Sequence, residues 1–165
     1  MTARARPSQE QRRPAAKAST AKVTSGVPGS GQARTVRVPW AFSAVPAIRR
    51  TIVADLVVRG VSAEVIDEAE IVVSELVANA LRHAHALPDG TVRVHWKEKN
   101  GAVEVEVSDG GGPTEPRPAP RSTWAAAGRG LRIVRSLAHE WGVQEDRGGR
   151  TVWVALGGPS RRRST

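Results

Sequence analysis

Apolar residues at Val65, Ile66, Ala69, Val72, Val73, Leu76, Ala80 and Ala84 recur three and four positions apart. A helix turning about 100° per residue gathers such positions on one face, so the pattern predicts a long helix capped by Ser62 and reaching about His85. An earlier stripe of Ile48, Ile52, Leu56 and Val57 predicts a helix from about Val45 to Arg59. Pro46 suits its first turn, and Gly60 suits the position just past its end. A third stripe, Leu131, Ile133, Val134 and Leu137, predicts a shorter helix from Gly130 to about Ala138.

Elsewhere the period is two. Thr35 to Val38, Thr91 to Trp96 and Ala102 to Val107 alternate polar with apolar residues, as half-buried strands do. Lys99-Asn100-Gly101 joins the last two as a hairpin, and Trp40 follows the first as a core anchor. Trp141 to Gln144 and Thr151 to Leu156, around the turn Arg147-Gly148-Gly149-Arg150, predict a closing hairpin. Residues 113–127, rich in Pro, Ala and charge, show no period and are expected to form a lid. Helices grouped among antiparallel hairpins predict an α+β two-layer sandwich.

With 165 residues and 39% hydrophobic content, one core is the expectation, over residues 35–158. Residues 1–34 carry almost no large apolar side chain, too little to offset the entropy of ordering, and are expected to be a disordered basic tail. The net charge of +9 resides in the ends. Arg4, Arg6, Arg12, Arg13, Lys17, Lys22 and Arg34 against Glu10 account for +6, and Arg161, Arg162 and Arg163 in the short tail 159–165 for +3. The body is therefore neutral, which argues against a specific nucleic-acid module. The absence of cysteine fits a reducing compartment, and the longest greasy run, Ile52 to Val58, is broken by Asp55. A cytoplasmic protein without a membrane span is expected.

Three motifs carry chemistry. Glu75 and Asn79 in Ser74-Glu75-Leu76-Val77-Ala78-Asn79 lie four apart on one helix face, a proton acceptor beside a neutral carbonyl ligand suited to magnesium. Asp109 ends a strand and leads into Gly110-Gly111-Gly112, where backbone can approach a ligand closely. Gly128-Arg129-Gly130-Leu131 opens a helix whose first N–H groups could meet phosphates. Each is commonplace alone, and their order and spacing carry the weight. His83, one turn beyond Asn79, is read as a packed or half-solvated residue outside the catalytic set. Trp40, Trp96, Trp124, Trp141 and Trp153 are read as core and loop anchors. The GxxxxGK[ST] phosphate loop and the HRD and DFG motifs of protein kinases are absent.

Taken together these motifs resemble those of the Bergerat-fold ATPases shared by gyrase and sensor histidine kinases, and in particular the small anti-sigma-factor serine kinases. The resemblance covers about residues 35–157 and implies a two-layer α/β sandwich with a mixed sheet covered on one face by helices. It makes Glu75 and Asn79 the helical N-box, Asp109 with Gly111 the first glycine box, Gly128, Arg129, Gly130 and Leu131 the second, and Thr151 the late-strand threonine. Asp109 would then accept from the adenine amino group of ATP, Thr151 would support the same base, Asn79 would hold Mg2+, and Glu75 would be the general base. Gly128 and Gly130 would present N–H groups to phosphates, and Arg129 a cationic contact. Pro113 departs from the family's Asp-x-Gly-x-Gly pattern. The implied partners are a sigma factor and an anti-anti-sigma protein of the STAS type, with a possible homodimer. Without a phosphoacceptor-histidine helix or a second domain, a sensor kinase, topoisomerase or chaperone is not expected. The alternatives are a nucleotide-sensing module without phosphotransfer and a binder of nucleic acid or membrane surface through the tails.

Overall fold

The computed structural model describes residues 33–112 and 128–158. Both expected tails, except for Ala33 and Arg34, and the expected lid with Pro113 and Trp124, lie outside the described residues.

The chain starts with β1 (Ala33–Pro39), a 3-10 turn (Phe42–Ala44), α1 (Val45–Val58) and α2 (Ala63–His83). It continues through the hairpin of β2 (Thr91–Lys99) and β3 (Ala102–Asp109), then α3 (Gly128–Leu137) and the hairpin of β4 (Glu140–Asp146) and β5 (Gly149–Leu156). The strands form one sheet in the order β1-β2-β3-β5-β4. The α+β sandwich matches the sequence reading. All the described pairings are antiparallel, where a mixed sheet was expected. The reason is topological: β5 folds back from β4 and inserts between it and β3, so the parallel relation of β3 to β4 is never a hydrogen-bonded one.

Local chemistry explains the element ends. Asn100 and Gly101, at φ of 54° and 80°, form the two-residue turn that matches strand twist in a tight hairpin. At the end of α1, Gly60 takes φ of 72° and donates to the Val57 carbonyl, while the Val61 N–H reaches back to Leu56. That pair of bonds satisfies carbonyls a helix end otherwise leaves open. Ser62 caps α2 by accepting from the Val65 N–H, with Glu64 in the first turn and Arg82 and His83 in the last, each favourably placed along the helix dipole.

One face of the sheet buries Val92, Val94, Trp96, Val103, Val105, Val107, Val152, Val154 and Leu156 against the helices. From α2 come Val65, Ile66, Ala69, Val72, Val73, Leu76, Val77 and Ala80, and from α1 Ile48, Ile52 and Leu56. Each fully buried side chain of this size contributes about 1.5–3 kcal/mol, which makes α2, lying on β3 and between its two neighbours, the keystone of the domain. Trp96 is completely buried, yet its indole N–H is satisfied because Nε1 donates to Asp55 Oδ2 at 2.7 Å. Asp55 also pairs with Arg34 at 3.2 Å and Arg59 at 2.7 Å. The polar break in the greasy run of α1 is thus the bolt between that helix and the sheet.

Candidate functional site

The helix-facing side of β3 is apolar until its last residue, where Asp109 takes the place of another valine. Its carboxylate is only 2% exposed. Such a group is retained only where something recovers its lost hydration. Two groups do so in part: the Gly111 N–H donates to Oδ1 at 2.7 Å, and Arg150 Nη2 donates to Oδ2 at 3.3 Å. Burial nevertheless pushes the carboxyl above its ordinary value of 3.8, against the pull of Arg150, the Gly111 N–H and His85. A carboxylate has about four lone-pair sites, so two remain for a further donor.

The glycine turn after Asp109 is stapled to the end of α2. His85 donates its N–H to the Gly111 carbonyl at 2.9 Å, and Gly110 donates to the His85 carbonyl at 2.7 Å. At Gly110 a side chain has no room, since a Cβ would stand 2.3 Å from the Ala86 carbonyl oxygen. At Gly111 a Cβ would meet only ordinary contacts with Gly149, but a φ of 80° favours glycine on backbone grounds. The turn therefore fixes Asp109 relative to α2 through backbone bonds alone.

Glu75 and Asn79 sit on α2 at the margin of its buried stripe, both half-buried. Neither side chain bonds to another described residue, so both keep their capacity for a ligand. Their spacing puts them one turn apart, with Asn79 one turn before the helix end that His85 joins to Gly110 and Gly111. His83 is exposed. On the other flank α3 packs on α2 through buried Leu131 and Val134. Gly128, Arg129 and Gly130 form its first turn, the position expected of the second glycine box. The structure thus places Glu75 and Asn79 on α2, Asp109 and Gly111 at the turn bonded to the segment after its end, and Gly128–Gly130 at the start of a helix packed on it.

Thr151 lines a cavity with Asp109 but stands on a different sheet face. Strand parity turns Val152, Val154 and Leu156 toward the helices, and with them Arg150, so Thr151 stands on the opposite face of the sheet, which no described helix covers. There its hydroxyl is 2.7 Å from that of Ser108. The β5 residue opposite Asp109 is Arg150. Sequence reading missed Arg150, although its position two residues before Val152 was the available signal. Among the described residues no cluster of three or more His, Cys, Asp or Glu side chains could hold a metal ion. Asn79 fits Mg2+ in another way, as one protein oxygen supplementing phosphate and water ligands, which is how this small hard cation is commonly held. No described helix is long and apolar enough to cross a membrane.

A strand-ending carboxylate beside a glycine turn, a Glu and Asn pair on the covering helix and a glycine-flanked helix start are the features of this α+β domain that bear on function. A family model for the histidine kinase-like ATPase domain matches residues 38–156, and the chain belongs to that family. It is an ATP-binding domain. Among solved structures it resembles the RsbU and RsbW domains of Rv1364c from Mycobacterium tuberculosis, with a TM-score of 0.58 and 21% identity over 76% of this chain and 32% of that one. The chain thus spans about a third of that structure. It also matches the histidine kinase domain of a blue-light activated histidine kinase from Erythrobacter litoralis EL346, with a TM-score of 0.42 and 21% identity over 79% of this chain and 65% of that one. At these identities the likeness is one of fold. Comparison with curated proteins gives no match.

Proposed function

We propose that the protein is an anti-sigma factor that binds Mg-ATP and phosphorylates a serine or threonine of a STAS-type antagonist. The observation that carries the nucleotide reading is Asp109, a carboxylate 2% exposed at the end of an apolar strand row, held by a glycine turn and still able to accept. Adenine offers an amino donor that such an acceptor prefers, whereas guanine presents a carbonyl at the same edge.

In this reading Asp109 binds the base and Gly111 lets the backbone pass beside it. The N–H groups at Gly128, Gly130 and Leu131 face the phosphates at a helix start, where the dipole favours anions, and Arg129 adds a cation. Asn79 would hold Mg2+, which when bound neutralises phosphate charge. Glu75 accepts the proton of the substrate hydroxyl as its oxygen bonds to the γ-phosphorus and the bond to the β,γ-bridging oxygen breaks, releasing ADP. The same reading makes the protein cytoplasmic, gives it a sigma factor as second partner and is compatible with a homodimer. The fold of the RsbW-containing mycobacterial structure supports this choice among ATPase activities.

The test is transfer of label from γ-labelled ATP to STAS-type proteins of the same genome. Phosphoserine or phosphothreonine on one of them, lost with Glu75→Gln, is the expected result. ATP binding without transfer to any would make the chain a nucleotide-sensing module instead.

A further inference from the structure

Across the face of the sheet that no described helix covers, Arg37, Arg93, Ser108 and Thr151 are registered partners on β1, β2, β3 and β5. Neighbouring rows place complementary groups together: Lys97 pairs with Glu104 at 2.7 Å, and Thr35 bonds His95 at 2.8 Å. The Arg37 row does the reverse. Two guanidinium groups stand directly opposite each other on an antiparallel pair, an arrangement that costs stability in the free sheet. Beside them the Ser108 and Thr151 hydroxyls lie 2.7 Å apart, and Arg93 Nη2 donates to Ser108 Oγ at 3.1 Å.

These four residues line an open cavity of about 410 Å³, with Leu87, Pro88, Asp109, Arg150 and the Gly148-Gly149 turn also in its lining. Each of its carboxylates already has a partner among the described residues. Asp89 accepts from Arg37 at 2.7 Å and from both the N–H and the hydroxyl of Thr91. Asp146 accepts from the Gly148 N–H at 2.7 Å, and Asp109 takes Gly111 and Arg150. Arg93, by contrast, has only a neutral hydroxyl partner among the described residues. Arg150, which also lines the cavity, keeps a buried Nε with no hydrogen-bond partner. The planar N–H fork of Arg93 beside two hydroxyls matches the oxygens of a tetrahedral phosphate.

We propose that this cavity is a second ligand site, which takes a phosphate group, either free or as the monoester of a small molecule. Arg37 and Arg93 balance its charge, and Ser108 and Thr151 bond its oxygens. Glu75 and Asn79 do not line the cavity, and the side chains of its central row point away from the helices. Asp109 and Arg150 also line the cavity, so it adjoins the site assigned to the nucleotide, while the four residues that hold the phosphate belong to the opposite face of the sheet.

The test is calorimetric titration of the full chain with inorganic phosphate, O-phosphoserine and AMP in turn, at constant ionic strength. Saturable binding of at least one is expected, weakened tenfold or more by Arg93→Gln and less by Arg93→Lys, which keeps charge without the fork. The phosphate-bearing compound that binds most tightly identifies the source. Circular dichroism of each variant establishes that it is folded, and Thr151→Val, which removes one hydroxyl without touching charge, should weaken binding several-fold. Binding unchanged in both Arg93→Gln and Thr151→Val, or lost in Asn79→Ala but retained in Arg93→Gln, would overturn the proposal. So would the absence of heat with all three compounds.

Discussion

Asp109 and Arg150 are direct partners across β3 and β5, and Arg150 Nη2 lies 3.3 Å from Asp109 Oδ2. The pair joins a nearly inaccessible carboxylate to a side chain that is still 21% exposed. The desolvation of Asp109 outweighs the help it receives, so its ionised form is tolerated for function at the expense of stability.

This trade has a pH signature. Because burial raises the folded carboxyl above 3.8, the folded state favours the protonated form. The contribution of Asp109 to stability is therefore intact below about pH 4 and is lost as pH rises through the folded value. In Asp109→Asn this titration is gone. The melting temperature of the variant relative to wild type should rise between about pH 4 and pH 7, while its ATP-induced stabilisation disappears. A difference that is flat with pH would contradict the assignment of a strained carboxylate.

Arg150 is a positioning residue for the same group. Removing its charge in Arg150→Met leaves His85 and the Gly111 N–H as the groups that favour ionised Asp109, so the carboxyl should titrate higher. The pH at which ATP affinity is half lost should move upward, with little change on the alkaline side. Measured binding isotherms across pH test this, and an unmoved midpoint would show that Arg150 does not set the ionisation of Asp109.

On α2, Glu75→Gln should retain ATP binding and lose about 10²- to 10⁴-fold in phosphotransfer, the usual share of a positioned base. Asn79→Ala should lose most of the magnesium dependence of nucleotide binding. Single-turnover labelling and titrations with and without the metal separate the two effects. Equal loss of binding in both variants would mean that the face they share acts only as a scaffold.

Gly110→Ala forces a methyl to within 2.3 Å of the Ala86 carbonyl oxygen, so the turn or the segment after α2 must shift. A cost of about 1–3 kcal/mol is expected, together with loss of nucleotide binding. Asp55→Ala should cost a similar amount or more, since it strips the acceptor from the buried Trp96 indole and uncouples Arg34 and Arg59, but the folded variant should still bind ATP. Urea denaturation with and without nucleotide distinguishes a change at the site from a change in the frame.

Much of this was legible because burial writes itself into periodicity. The stripe from Val65 to Ala80 gave α2 and, at its margin, Glu75 and Asn79. Asn100-Gly101 gave the hairpin because few other residues accept positive φ there. What escaped depends on pairing between distant segments. Nothing local in Asp55 announces Trp96, 41 residues away, as its partner. That Arg150 lies opposite Asp109 was not legible, because a single-residue slip along a strand exchanges the two faces of the sheet. The row from Arg37 to Thr151 exists only once four strands are set in register. The insertion of β5 between β3 and β4, which makes every described pairing antiparallel, is likewise invisible in any one strand.

The most direct measurement is calorimetry of the purified chain with Mg-ATP, run beside Asp109→Asn and with Mg-GTP as competitor. The account predicts one saturable site for ATP, a much weaker one for GTP, and loss of ATP binding in the variant. No heat with ATP, or binding that survives Asp109→Asn unchanged, would contradict it.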